Sequence, residues 1–242
     1  MENNLPTQQM PRLGDTAPSF TALTTEGIIN FPEDYHGRWK ILFSHPADFT
    51  SVCSTEFVAF ARWQEKFEEL GCQLIGVSID SISSHNAWIH TINNRIDYHG
   101  RVEVRFPLVA DITMKVSRLY GMLQPNASTT AAARTVFFID PMDKVRAVIN
   151  YPAQLGRNFE ELYRVLMGLQ TIDAFEVALP ADWEPGSDVI SPAPATPREI
   201  SKRAEKPAKD EKCYEWFLCT KPLPREKIEE KLMLKFNNMY GN

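Results

Sequence analysis

Cysteine is scarce in this chain, which has four cysteines in 242 residues. They stand at uneven spacings, as Cys53, Cys72, Cys213 and Cys219. So few cysteines in a chain of this length exclude the dense disulfide framework of small secreted domains. Redox or catalytic use of individual thiols is then the first hypothesis. Cys53 does not begin the Cys-x-x-Cys pair of a dithiol oxidoreductase, because Glu56 stands three residues later.

Long apolar runs and basic clusters are also missing. No segment approaches the roughly 20 apolar residues that a membrane-spanning helix needs. Residues Met1 to Asn4 lack the charged and apolar regions of a leader, so we expect a cytoplasmic protein with no membrane partner. The formal net charge is −5 and lysine and arginine form no run, which argues against a nucleic-acid partner.

Two further motifs are absent. The chain contains no Gly-x-Ser-x-Gly sequence, so the serine site of a lipase is not expected. The histidines His85, His90 and His99 do not share a helical face, and no cysteine pair stands beside them. We therefore expect no metal site and no cofactor, and we predict these three histidines at the polar surface.

The chain is long enough for one large domain with an appendage. Strand-like and helix-like segments alternate from about Leu13 to Asp173, which is typical of an α/β fold. We expect residues 1–173 to form this domain. Residues 174–242 change character: prolines interrupt them, yet apolar residues such as Trp183, Val189, Ile190, Trp216, Phe217 and Leu218 recur. We predict an extended arm that packs on a partner subunit and ends in a helix over 225–236.

The most informative segment surrounds Cys53. Residues 39–43 are an apolar run typical of a buried strand, and apolar residues follow Cys53 at helical spacing. The pattern predicts a strand, a tight loop and a helix that Thr50 caps. Cys53 then lies in the first turn, where unpaired N–H groups and the positive end of the helix dipole favour the thiolate form of a cysteine. Residues 72–79 predict the next strand, so the cysteine would lie at the carboxyl end of a strand in a β-α-β unit.

The residues Pro46, Thr50 and Cys53 resemble the Pro-x-x-x-Thr-x-x-Cys motif of the peroxiredoxins. Further segments are similar to the large-domain, one-cysteine branch of that family: Ser44-His45-Pro46, Val77 to Ser81, Ala133 to Asp140, Tyr151-Pro152-Ala153 and Gly156 to Phe159. The resemblance covers nearly the whole chain. Ser51 departs from the usual proline and Ser54 from the common threonine, for which we expect altered loop rigidity with retained chemistry.

The resemblance implies a thioredoxin-like fold and a peroxidase whose nucleophile is Cys53. Thr50 would bind the peroxide oxygen, Pro46 would shield the sulfur from water, and Arg134 would hold the thiolate and donate to the substrate. Each has a simpler alternative, which is a helix cap for Thr50, a strand terminator for Pro46 and a surface charge for Arg134. A buried Cys53 with only a packing role is the corresponding alternative for the thiol itself.

Two more residues come with open alternatives, and Cys72 has one interpretation. His45 either hydrogen-bonds the substrate or caps the strand. Glu56 lies one helical turn after Cys53, where it either orients an arginine such as Arg157 or serves the helix dipole. Cys72, inside an apolar strand, is interpreted as a packing residue.

The two C-terminal thiols resemble the tail of archaeal-type members of the branch. The resemblance implies that Cys219 of a neighbouring subunit resolves the Cys53 sulfenic acid, and that Cys213 then exchanges into a Cys213–Cys219 disulfide. It also implies homodimers, five of which close into a decamer, and a thioredoxin-like dithiol donor. The alternative is that the two thiols are inert or pair only with each other. A chaperone-like oligomer without peroxidase activity is the non-enzymatic rival, and Cys53→Ser would separate the two functions.

Overall fold

The computed structural model describes residues 10–124, 132–206 and 208–240, without the side chains of residues 234–240. Met1 to Asn4 therefore lie outside the described residues. Within them the chain divides into two compact units, with the division between Phe159 and Glu160. The boundary after Asp173 that the sequence suggests stays a prediction.

A mixed sheet forms the centre of the first unit. Its strands are β1 (Phe20–Thr24), β2 (Gly27–Phe31), β3 (Trp39–Ser44), β4 (Cys72–Ser78), β5 (Leu108–Ala110), β6 (Arg134–Ile139) and β7 (Val145–Tyr151). Among the described residues their order across the sheet is β2-β1-β5-β4-β3-β6-β7. β3 pairs with β4 in parallel and with β6 antiparallel. The expected β-α-β unit is therefore present, and β3 lies between β4 and β6 in the sheet.

Every residue of β3 is buried. A strand with neighbours on both sides and covered faces requires a near-continuous apolar run, which residues 39–43 provide apart from Lys40. The Lys40 ammonium is fully buried and forms an ion pair with Asp143, as a charge inside a protein must. Asp143 lies in the turn between β6 and β7. The Lys40–Asp143 ion pair therefore connects the β6–β7 hairpin to β3.

Among the described residues this unit holds the α-helices α1 (Ser51–Glu69), α2 (Ile82–Arg95) and α3 (Lys115–Leu119). The next helix, α4 (Phe159–Phe175), begins at the last residue of the first unit and belongs otherwise to the second. The helix predicted after Cys53 is α1. Aromatic rings fix α1 against the sheet. Phe60 of α1 stacks on Phe43 of β3 with ring centroids 3.9 Å apart, and Phe57 of α1 lies 4.4 Å from Trp88 of α2. These contacts determine where the first turn of α1 is held.

The second unit contains β8 (Val189–Ile190), α5 (Pro197–Glu205), β9 (Lys212–Glu215), β10 (Leu218–Lys221) and α6 (Arg225–Tyr240). The three strands form a small antiparallel sheet in the order β8-β10-β9. α5 begins with a capping box, in which the Thr196 hydroxyl accepts from the Glu199 N–H and the Glu199 carboxylate accepts from the Thr196 N–H. The residues predicted as an extended arm thus contain regular structure of their own. The final helix was expected and is confirmed, with Phe236 outside the described side chains.

The predicted apolar anchors of this segment differ in burial. Trp183 and Val189 are buried, as expected. Trp216, Phe217 and Leu218 are exposed by 38, 54 and 37% of their surface, so their expected packing on a partner subunit stays a prediction. Trp216 and Phe217 form the turn between β9 and β10, and Leu218 is the first residue of β10.

Candidate active site

The loop from His45 to Thr50 joins β3 to α1 and places Cys53 as predicted. α1 begins at Ser51, after Thr50 in an extended conformation, so Cys53 is the third helical residue. The N–H groups of the first turn have no partner within the helix, and they make this end electropositive. Cys53 is fully buried and forms no disulfide. The thiol therefore combines a helix N-terminus with a solvent-protected position.

Thr50 does not cap the helix with its side chain, so that expectation was wrong. Its hydroxyl donates to the backbone oxygen of Ala47 at 3.0 Å, and the side chain makes no cap hydrogen bond. The bond to Ala47 points the hydroxyl back along the loop, away from the N–H groups of the helix. Thr50 is exposed and Pro46 is buried, which leaves the threonine side chain accessible at the entrance of the loop.

Arg134, the first residue of β6, reaches the cysteine directly. Its Nη1 donates to the Cys53 sulfur at 3.3 Å. The other side of the guanidinium donates twice to the backbone oxygen of Ala153, from Nε at 3.0 Å and from Nη2 at 2.6 Å. Only 2% of the side chain is exposed. These bonds hold the planar group in one orientation, which excludes the alternative that Arg134 is a surface charge.

Glu56 connects this arginine to a second one. Its Oε2 lies 2.5 Å from Arg134 Nη1 and 2.9 Å from Arg157 Nη1, and its Oε1 accepts from the Arg157 N–H at 2.9 Å. Arg157 also donates to the Ser44 oxygen at the end of β3. Burial lowers the pKa of Arg157 to about 10, although Glu56 opposes the shift. Arg157 therefore remains a cation at neutral pH.

The charges beside Cys53 do not cancel. Two guanidinium groups, of Arg134 and Arg157, surround the single carboxylate of Glu56, and all three side chains are almost fully buried. One positive charge is left in a medium that screens it weakly. A thiolate at Cys53 balances this charge and accepts the hydrogen bond from Arg134. The arrangement favours an anionic sulfur that a buried position alone would disfavour.

His45 is fully buried and its ring bonds to Asp48, with Nε2 2.9 Å from Oδ1. Its Nδ1 has no partner among the described residues. Burial lowers the pKa of His45 against the opposing effect of Asp48, so a neutral ring is favoured. Substrate binding by His45 stays a prediction.

Two residues of this region, His85 and Asp48, were missed by the sequence reasoning. His85 was predicted at the surface and is fully buried, which corrects that expectation, whereas His90 and His99 are exposed as predicted. The His85 Nδ1 lies 2.8 Å from Oδ2 of Asp48, whose other oxygen binds His45. A buried histidine needs a polar partner, and this partner is 37 residues away in sequence. The one local signal is the spacing of His85 and Trp88, which lie one turn apart on α2.

Comparison with known proteins now decides the family. Residues 13–148 match the AhpC/TSA family, and residues 168–206 match the C-terminal domain of 1-Cys peroxiredoxin. A peroxiredoxin of Methanosarcina mazei is 51% identical over 214 residues, which are 88% of this chain and 98% of that protein. The chain belongs to the peroxiredoxin family. A peroxiredoxin of Aquifex aeolicus is 44% identical over 222 residues, 88% of this chain and 97% of that protein.

Solved peroxiredoxin structures have the same fold. A yeast mitochondrial 1-Cys peroxiredoxin aligns with a TM-score of 0.76 at 35% identity, covering 88% of this chain and 100% of that one. A cysteine-to-serine mutant of the peroxiredoxin 6 of Arenicola marina aligns with a TM-score of 0.77 at 30% identity, covering 88% and 99%. The expected thioredoxin-like fold of the peroxiredoxin type, with a C-terminal extension, is therefore confirmed, and the chain is a thiol peroxidase that acts on peroxide.

The other three cysteines of this chain have surroundings that differ from those of Cys53. Cys72 is buried in β4, and burial raises its pKa strongly, as a packing residue requires. Cys213 and Cys219 face each other across β9 and β10 and form a disulfide, with Cα atoms 4.0 Å apart. This is the second disulfide that the family resemblance implied. It is equally the pairing of the simpler alternative, in which the two thiols bind only each other.

Two groups of side chains have metal-ligand spacing within the described part of the chain. They are Glu211 with Cys213 and Cys219, and His45 with Asp48 and Asp80. The sulfurs of the first group are joined in a disulfide and are not thiolate ligands. The carboxylates of the second are already occupied: Asp48 by two imidazoles, and Asp80 by the Ser78 hydroxyl at 2.7 Å.

In the described residues, no helix is both long and apolar enough to cross a bilayer.

Proposed function

We propose that Cys53 is the peroxidatic residue of this thiol peroxidase, acting on hydrogen peroxide and small organic hydroperoxides. The Cys53 thiolate attacks one oxygen of the peroxide, the O–O bond breaks, and the sulfur becomes a sulfenic acid while the second oxygen leaves as water or an alcohol after taking a proton. The observation that supports this role is the 3.3 Å hydrogen bond from Arg134 to the Cys53 sulfur, next to an uncompensated buried positive charge.

The surrounding residues take separate roles in this proposal. Arg134 holds the thiolate and stabilises the charge that develops on the departing oxygen, because a fixed donor in a dry site needs no reorganisation during reaction. Thr50 offers a hydroxyl to the peroxide, Pro46 excludes water, and His45 contributes to substrate binding. Glu56 and Arg157 support the site by fixing the Arg134 guanidinium.

A sulfenic acid that meets more peroxide is oxidised irreversibly, so it must be trapped. We infer that the Cys219 thiol of a neighbouring subunit condenses with the Cys53 sulfenic acid, which forms a disulfide and releases water. Cys213 then attacks Cys219, so that a Cys213–Cys219 disulfide forms and the Cys53 thiolate leaves. The support is the direct cross-strand pairing of the two C-terminal cysteines.

Turnover requires two electrons from outside. A thioredoxin-like dithiol is the donor we propose, and the similar yeast protein is described with thiol resolution via glutathione and thioredoxin systems. We further propose a homodimer that assembles into a decamer, a pentamer of dimers, in the cytoplasm. Both assembly and compartment follow from the family resemblance and the expectations of the sequence.

Timed disulfide mapping tests this cycle. The reduced protein is mixed with one equivalent of hydrogen peroxide, quenched with an alkylating reagent and analysed on non-reducing gels with mass spectrometry. We expect a Cys53–Cys219 link between subunits first and a Cys213–Cys219 link later. Cys213→Ser should trap the first link, because the exchange step lacks its nucleophile, and Cys72 serves as the unreactive control. A lasting Cys53 sulfenate with free Cys213 and Cys219 would instead establish a one-cysteine mechanism.

A further inference from the structure

The carboxylate of Asp48 is held between two imidazole rings inside the protein. Its side chain is 1% exposed, and the rings of His45 and His85 are fully buried. His45 Nε2 donates to Oδ1 at 2.9 Å, and His85 Nδ1 donates to Oδ2 at 2.8 Å. The Asp48 N–H also donates to Asp80 Oδ2 at 3.0 Å. One residue of the loop before Cys53 is thus bound at three atoms.

The partners of the two rings determine where their protons are. His85 Nδ1 faces the Asp48 carboxylate, and its Nε2 lies 3.1 Å from the backbone oxygen of Val109 on β5. Both partners only accept hydrogen bonds, so only a ring with a proton on each nitrogen would satisfy both of them. His45 has one acceptor, Asp48, and an Nδ1 without a partner among the described residues. In the neutral Nε2–H form its single donor is therefore satisfied by Asp48.

The backbone of the same loop needs outside support. Phe49, between Asp48 and Thr50, has a φ of 56°, in the left-handed region that is unfavourable for a residue with a bulky side chain. Phe49 is 59% exposed, so its own side chain is not deeply packed. A loop in such a conformation persists only where its neighbours hold it in place. Among the described contacts, the hydrogen bonds of Asp48 do this.

One face of α2 provides the fixation. His85 contacts the loop through Asp48, and Trp88, one turn later, donates from its indole N–H to the Ser54 hydroxyl at 3.2 Å. The Ser54 hydroxyl in turn donates to the Thr50 oxygen at 2.8 Å. α2 therefore touches both the loop and the first turn of α1, on either side of Cys53.

We propose that His85, as an imidazolium, is a positioning residue that holds Asp48 and thereby keeps residues 45–50 folded around Cys53. The inference rests on the proposed peroxidatic role of Cys53. The charged and titratable groups that face the His85 region are Asp48 and His45 from the loop and Asp80 from the end of β4. Loss of the His85 proton leaves one of two acceptors without a donor and removes the charge opposite Asp48, so the loop is held less firmly as the pH rises.

His85→Gln tests the proposal, with His90→Gln on the exposed face of the same helix as the matched control. Glutamine keeps one donor toward Asp48 and gains no proton. We expect the second-order rate constant with hydrogen peroxide to fall about tenfold at pH 7, consistent with loss of one charge-assisted hydrogen bond. We also expect the wild-type rate constant to rise with pH at first and then to decline at alkaline pH. This decline should be absent in His85→Gln. His90→Gln should match the wild type.

Two outcomes would overturn the proposal: a rate and pH profile in His85→Gln equal to those of His90→Gln, or a lower rate with the alkaline decline retained, since a merely structural residue lowers the rate without changing the profile.

A measurement on the unmodified protein covers the case in which His85→Gln does not fold. In protein labelled with ¹⁵N-histidine, solid-state NMR at pH 7 should show two protonated nitrogens for His85 and one for His45. A neutral His85 would overturn the proposal. This readout does not involve peroxide, so it is distinct from failure of the proposed function, which would appear as full peroxidase activity in Cys53→Ser.

Discussion

The sulfur of Cys53 and the sulfurs of Cys213 and Cys219 are positioned in opposite ways. Cys53 is buried, and the groups around it come from distant segments: Arg134 is 81 residues away, and its anchor on Ala153 is farther still. The C-terminal pair is six residues apart in sequence and lies in a short hairpin. The first site depends on the whole α/β unit, whereas the second depends on local strand pairing.

The two regions also differ in charge and exposure. The Cys53 site holds three buried charged side chains within hydrogen-bonding distance of one another. The hairpin carries exposed aromatic side chains at its turn, and its Cys213 is half-buried while its Cys219 is fully buried. Buried networks of this kind are rigid, while short hairpins with exposed backbone open at low free energy. We infer that Cys53 is held in place, and that the β9–β10 hairpin is the segment that moves during disulfide exchange.

The largest effect that this comparison predicts separates the two regions by function. Cys53→Ser should lower the rate of peroxide consumption by roughly 10⁴-fold or more, because a serine hydroxyl is a poor nucleophile without its own base. The double change of Cys213 and Cys219 to serine should stop dithiol-driven turnover and leave the first turnover intact. Stopped-flow measurement of one turnover, and a coupled assay of many, distinguish the two. If Cys53→Ser and the double variant lost the same fraction of the single-turnover rate, the two regions would not differ in function.

A smaller loss is expected when the charge excess at Cys53 is removed. Arg134→Ala leaves Glu56 paired with Arg157, so the remaining charges balance and we expect the fold to persist. The rate constant with peroxide should fall about 10²- to 10³-fold, the loss typical of a removed electrostatic donor. Arg105→Ala, at a surface arginine that is 44% exposed, is the control.

The pH dependence of Cys53 alkylation sharpens the Arg134 test. Without the guanidinium, alkylation of Cys53 should begin at higher pH than in the wild type, while the Arg105 variant should be unchanged. Unchanged peroxide rates and alkylation in Arg134→Ala would remove Arg134 from the site.

Local signals explain what the sequence could predict. The apolar run of β3 and the helical period after Cys53 are properties of neighbouring residues, and they placed Cys53 in the first turn of α1. The place of Arg134 beside Cys53 was expected from the family resemblance, and the contact of Glu56 with Arg157 was one of two open alternatives, because no local pattern brings such distant residues together. Their contacts depend on the pairing of β3 with β6.

The errors have a common physical cause. His85 is polar and was predicted at the surface, but a buried carboxylate 37 residues earlier satisfies it. Thr50 stands at the helix start and was predicted to cap it, but its hydroxyl bonds backward to Ala47. In each case the partner, not the residue type, decides the environment.

The smallest predicted effect concerns the acid stability of the Cys53 loop. Burial alone would raise the pKa of Asp48, but hydrogen bonds from His45 and His85 lower it from 3.8 to about 2. The folded state therefore binds its proton less readily than the unfolded state, so the stabilisation is present above about pH 4 and is lost as the pH falls toward 2. The shift corresponds to about 2 kcal/mol of unfolding free energy.

Asp48→Asn should remove this contribution. Urea unfolding from pH 6 to pH 2.5 is expected to show a wild-type stability that falls more steeply with acid than that of the variant, with the two proteins converging at the low end. Asp188→Asn, at an exposed aspartate of the second unit, should follow the wild-type curve. Parallel curves for the wild type and Asp48→Asn would mean that Asp48 titrates alike in the folded and unfolded chains. The loop would then be held by packing and not by charge.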